Sequence, residues 1–411
     1  MIFKPLLLLP LAAQALGAAV PKPDQQQNAN AADGEYDAIV IGGGPAGLSA
    51  LSGLARVRRN VLLIDSGEYR NQPTRHMHDV IGFDGVTPAY YRTAARDQIA
   101  HYDTVTMTNG TVTAIKDDTP QGSNNTLFTV TSSSPNGTAA ATHRARKVVL
   151  ATGLRDLLPS TPGIQENWGR GIFWCPWCDG HEHADQGLGF LAGFEEIAGL
   201  VREVATLNSD VVAFVNGTDT PEARAAAEAS FPRFESYLAL KNVTVYNQTI
   251  SAVTRLHEAD PTDPNVPTAP ENDLFQVEFA DGSAPVERNA FLVSYPDEQR
   301  STIGADLGVR LDGGRLAADA SKGYLSNIKG VYAVGDANAD NSTNVPHALY
   351  TGKKAAVFLH VQLEREIAQD QIDEWEESHE KRDEEHRAVW ERMNGDEGDI
   401  LHAGDYDAFE V

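Results

Sequence analysis

"YDAIVIGGGPAGLSALSGLARVRRNVLLIDSGE", residues Tyr36–Glu68, decides the fold class. An apolar strand, Ala38 to Ile41, runs through a glycine turn into an amphipathic helix that reaches about Arg58. A second apolar strand follows, Val61 to Ile64. This is a βαβ unit, the repeating element of a parallel sheet covered on both faces. Gly42, Gly44 and Gly47 form G-x-G-x-x-G, and Asp65 ends the second strand. The glycines permit a tight turn and close backbone approach. A pyrophosphate can then rest on the helix N-terminus while Asp65 accepts from a ribose hydroxyl. A bare G-x-G-x-x-G carries little; strand, helix and distal acid in the right order carry much more. The plainer reading is a turn that only packs tightly.

Two later stretches repeat the strand-then-glycine pattern. "RKVVLATGLRD" reads as a buried strand ending in a turn at Gly153, and "GVYAVGDANAD" supplies Gly335 and Asp336. Asp336 either caps the next element or binds a ligand hydroxyl. Between them, from Gly187 to Asn216, lies a weaker βαβ shape: "GLGFLAG", the helix "EEIAGLVREVATL" and "DVVAFVNG". A polar, proline-bearing insertion at Asp260 to Asn272 reads as a loop. From about Glu364 the chain becomes a charge-dense helix. It is read as a solvated face with Trp375 and Trp390 anchoring it, a partner-binding helix being the alternative.

The formal charge of −25 over 411 residues argues against nucleic acid or an anionic membrane as partner, because no basic excess exists to neutralise phosphates. The first residues, "MIFKPLLLLPLAAQALGAAV", read as a secretory signal cleaved near Gly17 to Ala19, with a membrane anchor as the alternative. A polar leader, 20–35, comes next. Sequons at Asn109, Asn124, Asn136, Asn216, Asn242, Asn247 and Asn341 agree with a secreted, N-glycosylated chain. Only two cysteines occur, Cys175 and Cys178 in "FWCPWCDGHEH", so the pair is one local disulfide or the chemistry itself. A zinc half-site would need about four ligands. His181 and His183 could supply two, and no second cysteine pair exists; no metal is expected.

The order of these motifs resembles the low-molecular-weight thioredoxin reductase family of flavoproteins: "GGGPAG" with its acid, "ATG", Cys-x-x-Cys-Asp-Gly, "GVYAVGD", then a helix beginning near "NVPHALYTGKKAA". The resemblance covers about Tyr36 to Leu363. It implies an α/β protein with two Rossmann-like three-layer domains. The FAD domain would come in two segments, 36–160 and 288–363, around an inserted domain, 161–287, that carries the cysteines; an acidic helix and tail, 364–411, follow. The resemblance puts Gly42, Gly43, Gly44, Pro45, Ala46 and Gly47 on the FAD pyrophosphate, Asp65 on the adenosine ribose and Val112 on the adenine through its backbone. It puts Asp336 with Gly335 on the ribityl chain, and Arg70, His78, Gly153, Asn344 and Val345 around the flavin. Cys178 would face the flavin, Cys175 would meet the substrate, and Asp179 would move protons. A homodimer is also implied.

One departure redirects the expectation. Family reductases carry a second glycine turn after the cysteines for NADPH, with arginines beyond the next strand for its 2′-phosphate. Here the turn reads Ala192-Gly193-Phe194-Glu195-Glu196-Ile197, and no Arg or Lys precedes Arg224 after "FVNGTDTPEA". Side-chain bulk at Phe194 and two carboxylates at the helix start would exclude a pyrophosphate. The chain is then more similar to NADPH-independent fungal-type dithiol oxidases and secreted sulfhydryl oxidases. The expected reaction is oxidation of small thiols such as glutathione through Cys175 and Cys178, with O₂ as acceptor and H₂O₂ as product. A dedicated dithiol oxidase of gliotoxin type is the alternative, ahead of an NADPH-dependent reductase or a non-catalytic flavoprotein. Candidates for the base are His347, His181, His183 and Asp179, while His78 is placed as a flavin neighbour. Trp174 and Trp177 either wall the substrate or pack in the core.

Overall fold

The opening strand spans Glu35–Ile41 (β1) in the computed structural model, which describes residues 35–137, 139–259 and 268–394. The signal segment, the leader up to residue 34, and the tail beyond 394 lie outside the described residues. After the glycine turn comes α1 (Pro45–Ala55), then β2 (Val61–Asp65) parallel to β1 with Ile39 opposite Leu62. Helix α2 (Pro88–Ile99) and β3 (Val105–Asn109) extend the parallel edge. An antiparallel run follows: β4 (Thr111–Asp117), β5 (Phe128–Ser133) and β6 (Ala140–Leu150). The sheet order is β3-β2-β1-β6-β5-β4. Beyond the end of β5, the last residues of β6 also pair with the strand Val331–Ala333, so a segment from the far end of the chain completes the sheet.

Alternation along β1 builds two cores. Ala38 and Val40 pack with Leu51 and Leu54 of α1 and with Leu359 and Leu363 of the long helix Val345–Asn394. Ile39 and Ile41 turn to the other face with Phe128, Ile303 and Leu316. Period-two burial on both faces is what a doubly covered sheet requires.

The chain leaves this sheet along β7 (Leu154–Asp156) and builds a second, parallel one. Its members are β8 (Ile172–Phe173), β9 (Leu188–Leu191), β10 (Val211–Phe214) and β11 (Thr244–Tyr246). The helices α3 (Pro176–Asp179) and α4 (Ile197–Glu203) lie between these strands in the chain. A three-stranded antiparallel sheet, β12 (Ile250–His257), β13 (Leu274–Phe279) and β14 (Val286–Arg288), brings Val253, Phe275 and Val277 against Phe214 and Phe291 of the parallel sheet. The second-sheet order is β11-β10-β9-β15-β8, where β15 is Ala290–Val293. The sequence boundary at 287/288 is therefore corrected. Four more apolar residues belong to the inserted sheet, paired parallel to β9, and the return crossing is β16 (Asp297–Gln299), antiparallel to β7. A four-residue apolar run is not informative about which of two parallel sheets it joins.

The expected helix near "NVPHALYTGKKAA" and the acidic helix from Glu364 are one element of 50 residues. Its first half packs on α1. Residues 371–393 are exposed apart from His379, and Trp375, expected to anchor the helix, instead lies over the His379 ring one turn along at 3.8 Å. Trp390 is exposed as well. Among the described residues, no helix is long and apolar enough to cross a membrane. Residues 260–267 of the proline-bearing loop are outside the described set.

Candidate active site

At the first glycine turn the backbone dictates the residue types. Gly42 has φ +108°, and a Cβ there would stand 2.3 Å from the Ala151 carbonyl oxygen. At Gly44, the N-cap of α1, a Cβ would meet nothing within 4 Å, and no side chain caps the helix. The turn is thus an open cradle beneath uncapped N–H groups, which fits a pyrophosphate. Gly47 differs from its neighbours: it packs beneath the turn, where a Cβ would lie 1.9 Å from the Gly42 oxygen, and it does not line the cavity.

Gly42, Gly43, Gly44, Pro45 and Ala46 open one cavity with Asp65, Arg70, His78, Val112, Gly153, Gly335, Asp336, Asn344 and Val345. Asp65 is nearly fully engaged by the protein: it accepts from Gly43 N at 3.0 Å, Gly67 N at 3.1 Å and the Tyr69 hydroxyl at 2.5 Å, and from the Arg96 guanidinium. A carboxylate has about four acceptor directions, so a ribose hydroxyl would exchange with Tyr69 or Arg96 rather than meet a free oxygen. Arg70 donates to Asp156 (3.0 and 2.6 Å) and to Asp336 (3.2 Å), and stands 5.5 Å over the Trp174 ring. Asp336 does not cap the element that follows it; burial raises its carboxyl, and the Arg70 charge opposes that rise. Sequence reasoning missed Tyr69, His76 and Arg300 on this wall. Tyr69 and His76 lie in the loop directly after Asp65, which was the available signal.

Cys175 and Cys178 form a disulfide. Cys178 and Asp179 line the cavity, whereas Cys175 is half-buried and is not part of its wall; Trp177, two residues on, is 71% exposed. Trp174 is half-buried and stacks on Trp168 at 4.8 Å. Behind the disulfide lies a cluster of ionisable groups that joins the loop 71–79 to the inserted domain. His78 Nε2 is 3.5 Å from Glu182 Oε1, and Arg75 binds Glu271 and Asp273. His76 and His183 each stand 3.8 Å from the Glu271 carboxylate. Burial, then the charges of Glu271 and Glu182, pushes the Asp179 carboxyl well above the ordinary range, with Arg75 opposing. Burial likewise raises Glu182 and lowers His183, whose ring stacks on Phe173.

Among the base candidates, His347 is displaced from its expected place. It is not on the cavity wall: its Nε2 is 2.8 Å from Asp340 Oδ2 and its ring meets the edge of Tyr324. Its neighbours Pro346 and Ala348 do line the cavity, and successive helical positions point about 100° apart, so one residue of a flavin-facing turn can point outward. His181 is exposed, and His183 is buried beside Phe173. These two diverge, so with the cysteines joined no zinc half-site assembles among the described residues.

The second turn closes on itself. Gly193 N donates to Glu196 Oε2 at 3.1 Å, Phe194 N donates to Thr218 Oγ1 at 3.0 Å, and Ser294 donates to Glu196 Oε1 at 2.7 Å. The donors a pyrophosphate would use are already satisfied within the chain. Phe194 does not block by protruding, as the sequence suggested. Its ring is buried against Phe234 at 5.6 Å, beneath the Arg224 guanidinium at 4.9 Å. Arg224 itself is held by Asp219 and Glu235.

Residues 36–200 match the family model "Pyridine nucleotide-disulphide oxidoreductase". A "Probable thioredoxin reductase" of Arthroderma benhamiae is 45% identical over 84% of this chain and 84% of its own. "Thioredoxin reductase tcpT" of Claviceps purpurea is 30% identical over 80% of this chain and 94% of its own. Among solved structures, that of HlmI covers 84% of this chain and 98% of its own, with a TM-score of 0.69 and 29% identity. A putative thioredoxin reductase TrxB from Bacillus anthracis covers 80% and 99%, with a TM-score of 0.67 and 25% identity. The open first turn, the disulfide on the same cavity and these relatives agree: the chain belongs to the pyridine nucleotide-disulphide oxidoreductase family, among its thioredoxin reductase-like, FAD-binding members.

Proposed function

We propose that this oxidoreductase is a thiol oxidase that takes electrons from small thiols and delivers them to O₂, without a reduced nicotinamide. The observation that carries the reading is the contrast between two turns of one design. The first leaves its helix-end N–H groups without a side-chain cap. The second spends its own on Glu196 and Thr218. Glu195 and Glu196 also place negative charge at the helix start, where it satisfies the positive helix end and repels a pyrophosphate.

The reaction consumes two thiols and one O₂ and yields one disulfide and H₂O₂. A substrate thiolate attacks Cys175 Sγ, the sulfur outside the cofactor cavity, and Cys178 departs with the electron pair. A second substrate thiolate displaces Cys175 and releases the product disulfide. Gly42 to Ala46 would hold the FAD pyrophosphate, and Gly335 and Asp336 the ribityl chain. Bound FAD supplies a two-electron acceptor for the Cys175–Cys178 dithiol and a route onward to O₂. Asp179, whose carboxyl is pushed well above the ordinary range by burial and by Glu271 and Glu182, would donate a proton at Cys178 Sγ.

Purified holoenzyme given glutathione or dithiothreitol is expected to consume O₂ and form H₂O₂. Given NADPH and a disulfide, it should leave NADPH untouched. NADPH oxidation at rates comparable to thiol oxidation would overturn the reading.

We further read the chain as secreted through a glycosylating compartment. Besides the leader sequence, the support is that all seven sequon asparagines are exposed. Expressed in a fungal host, the protein should collect in the medium and lose mass on endoglycosidase treatment. A cell-retained product of unchanged mass would refute this.

A further inference from the structure

We propose that His78 and Glu182 form a proton-relay pair that serves Asp179, and through it the Cys175–Cys178 disulfide. The proposal rests on the thiol–disulfide exchange of the reading above, not on its use of O₂. His78, expected only as a flavin neighbour, has a second set of contacts. Its side chain is 7% exposed, it lines the cavity that also holds Cys178 and Asp179, and its Nδ1 has no hydrogen-bond partner. Its Nε2 faces Glu182, whose Oε1 is buried and equally unpartnered. A buried carboxylate oxygen without a partner is costly, and the group set to satisfy Glu182 Oε1 is His78 Nε2, 3.5 Å away, which can share or exchange a proton there.

The charge balance shows what the pair is for. When a substrate thiol opens the disulfide, one S–S bond forms at Cys175 and one breaks. The electron pair stays on Cys178, the thiol loses a proton and Cys178 Sγ gains one. Asp179 is the neighbour that gives this proton. It is then a carboxylate facing Glu182 and Glu271, with Arg75 already engaged by Glu271 and Asp273. A new carboxylate so close to two others in a largely buried space is costly unless a positive charge is added nearby in the same event. His78, with Glu182 on one side and Asp84 nearby, and His76, beside Glu271, both stand between that space and the cavity, and His78 is the one that faces Glu182. The thiol's proton leaves to solvent on the Cys175 side, His78 takes up a proton from the cavity side, and its charge, held by Glu182, offsets the one left on Asp179. His78 and Glu182 are therefore positioning residues that act through Asp179.

The test follows disulfide opening in the holoenzyme, anaerobically, with dithiothreitol. Samples are quenched in acid, alkylated and counted by mass spectrometry, and flavin content is read from absorbance. Wild type should give a bell: rising with thiolate formation, falling as Asp179 ionises. In Glu182→Gln one carboxylate facing Asp179 is gone, so the falling limb should move to lower pH by about half a unit or more. His78→Gln should slow opening at pH 7 by about tenfold to a hundredfold. The double variant should be no slower than His78→Gln, and Glu182→Asp should recover most of the rate. Should Glu182→Gln fold poorly, His78→Gln carries the test alone. An unmoved limb and rates within twofold of wild type, in flavin-loaded variants, would overturn the proposal. O₂ uptake plays no part in this measurement, so a chain that fails as an oxidase still reports on the relay.

Discussion

Cys175→Ser is expected to abolish thiol-driven turnover, by a factor on the order of a thousand or more, while flavin stays bound. Serine cannot form the mixed disulfide, so no electron pair reaches Cys178. Flavin retention follows because Cys175 is not part of the cavity wall. Cys178→Ser should also be inactive, but for a different reason. Cys175 remains as a free thiol, and without its resolving partner it should trap an added disulfide as a stable adduct. Oxygen uptake checks the loss in both variants, and intact-protein mass checks the adduct, one substrate thiol heavier in Cys178→Ser and absent in Cys175→Ser. Comparable residual activity in Cys175→Ser would show that substrates reach Cys178 directly.

Glu366→Ala is expected to destabilise the fold by about 3–5 kcal/mol, because it leaves a buried ammonium without its counter-charge. Lys147 on β6 is fully buried. Its Nζ donates to both Glu366 oxygens, at 2.8 and 2.7 Å, and to Thr126 Oγ1 at 2.8 Å, while Arg146 joins from the side at 3.0 Å. This cluster fastens the long helix to the sheet where its exposed half begins. Burial lowers the Lys147 pKa from its usual 10.5 to about 8, against the attraction of Glu366. Between those values the unfolded chain binds more protons than the folded one. The contribution of this group to stability is therefore complete above the unfolded value and lost as pH falls through the folded one. Without Glu366 the folded value drops further, so the deficit of the variant should narrow as pH rises toward 10. Denaturant unfolding at pH 7 and pH 9.5 measures both effects. Glu366→Leu combined with Lys147→Met should recover much of the loss, since a well-packed apolar pair can replace a buried ion pair. A deficit below about 1 kcal/mol would mean that Lys147 finds water or another acceptor.

Much of the site could be read from short stretches because its parts are local. A glycine with φ +108° under a carbonyl 2.3 Å from any Cβ must be glycine, and the strand and helix beside it announce themselves by period. Likewise, Cys175 and Cys178 are three residues apart and needed no long-range contact to be paired. His347 and His78 show where such reading stops. Resemblance puts both beside the flavin, yet His347, in the first turn of the long helix, turns to Asp340, while His78 lines the cavity and also meets Glu182 of the inserted domain. Phe194 is a subtler case. The sequence reading rests on its bulk together with Glu195, Glu196 and the missing arginines; the ring itself is buried, and the N–H groups of the turn are taken by Glu196 and Thr218.

Local pattern alone pointed to the βαβ units, the glycine turn, the Cys-x-x-Cys pair and the departure at Ala192 to Ile197, because each depends on backbone sterics and side-chain period within a few residues. The three-dimensional packing alone decided that Ala290–Val293 completes the second sheet, that one helix runs from Val345 to Asn394, and that Asp179 faces Glu182, Glu271 and Arg75. Strand partnership, the direction of a loop side chain and the field around a buried carboxyl are sums over residues distant in the chain, and no window of sequence contains them.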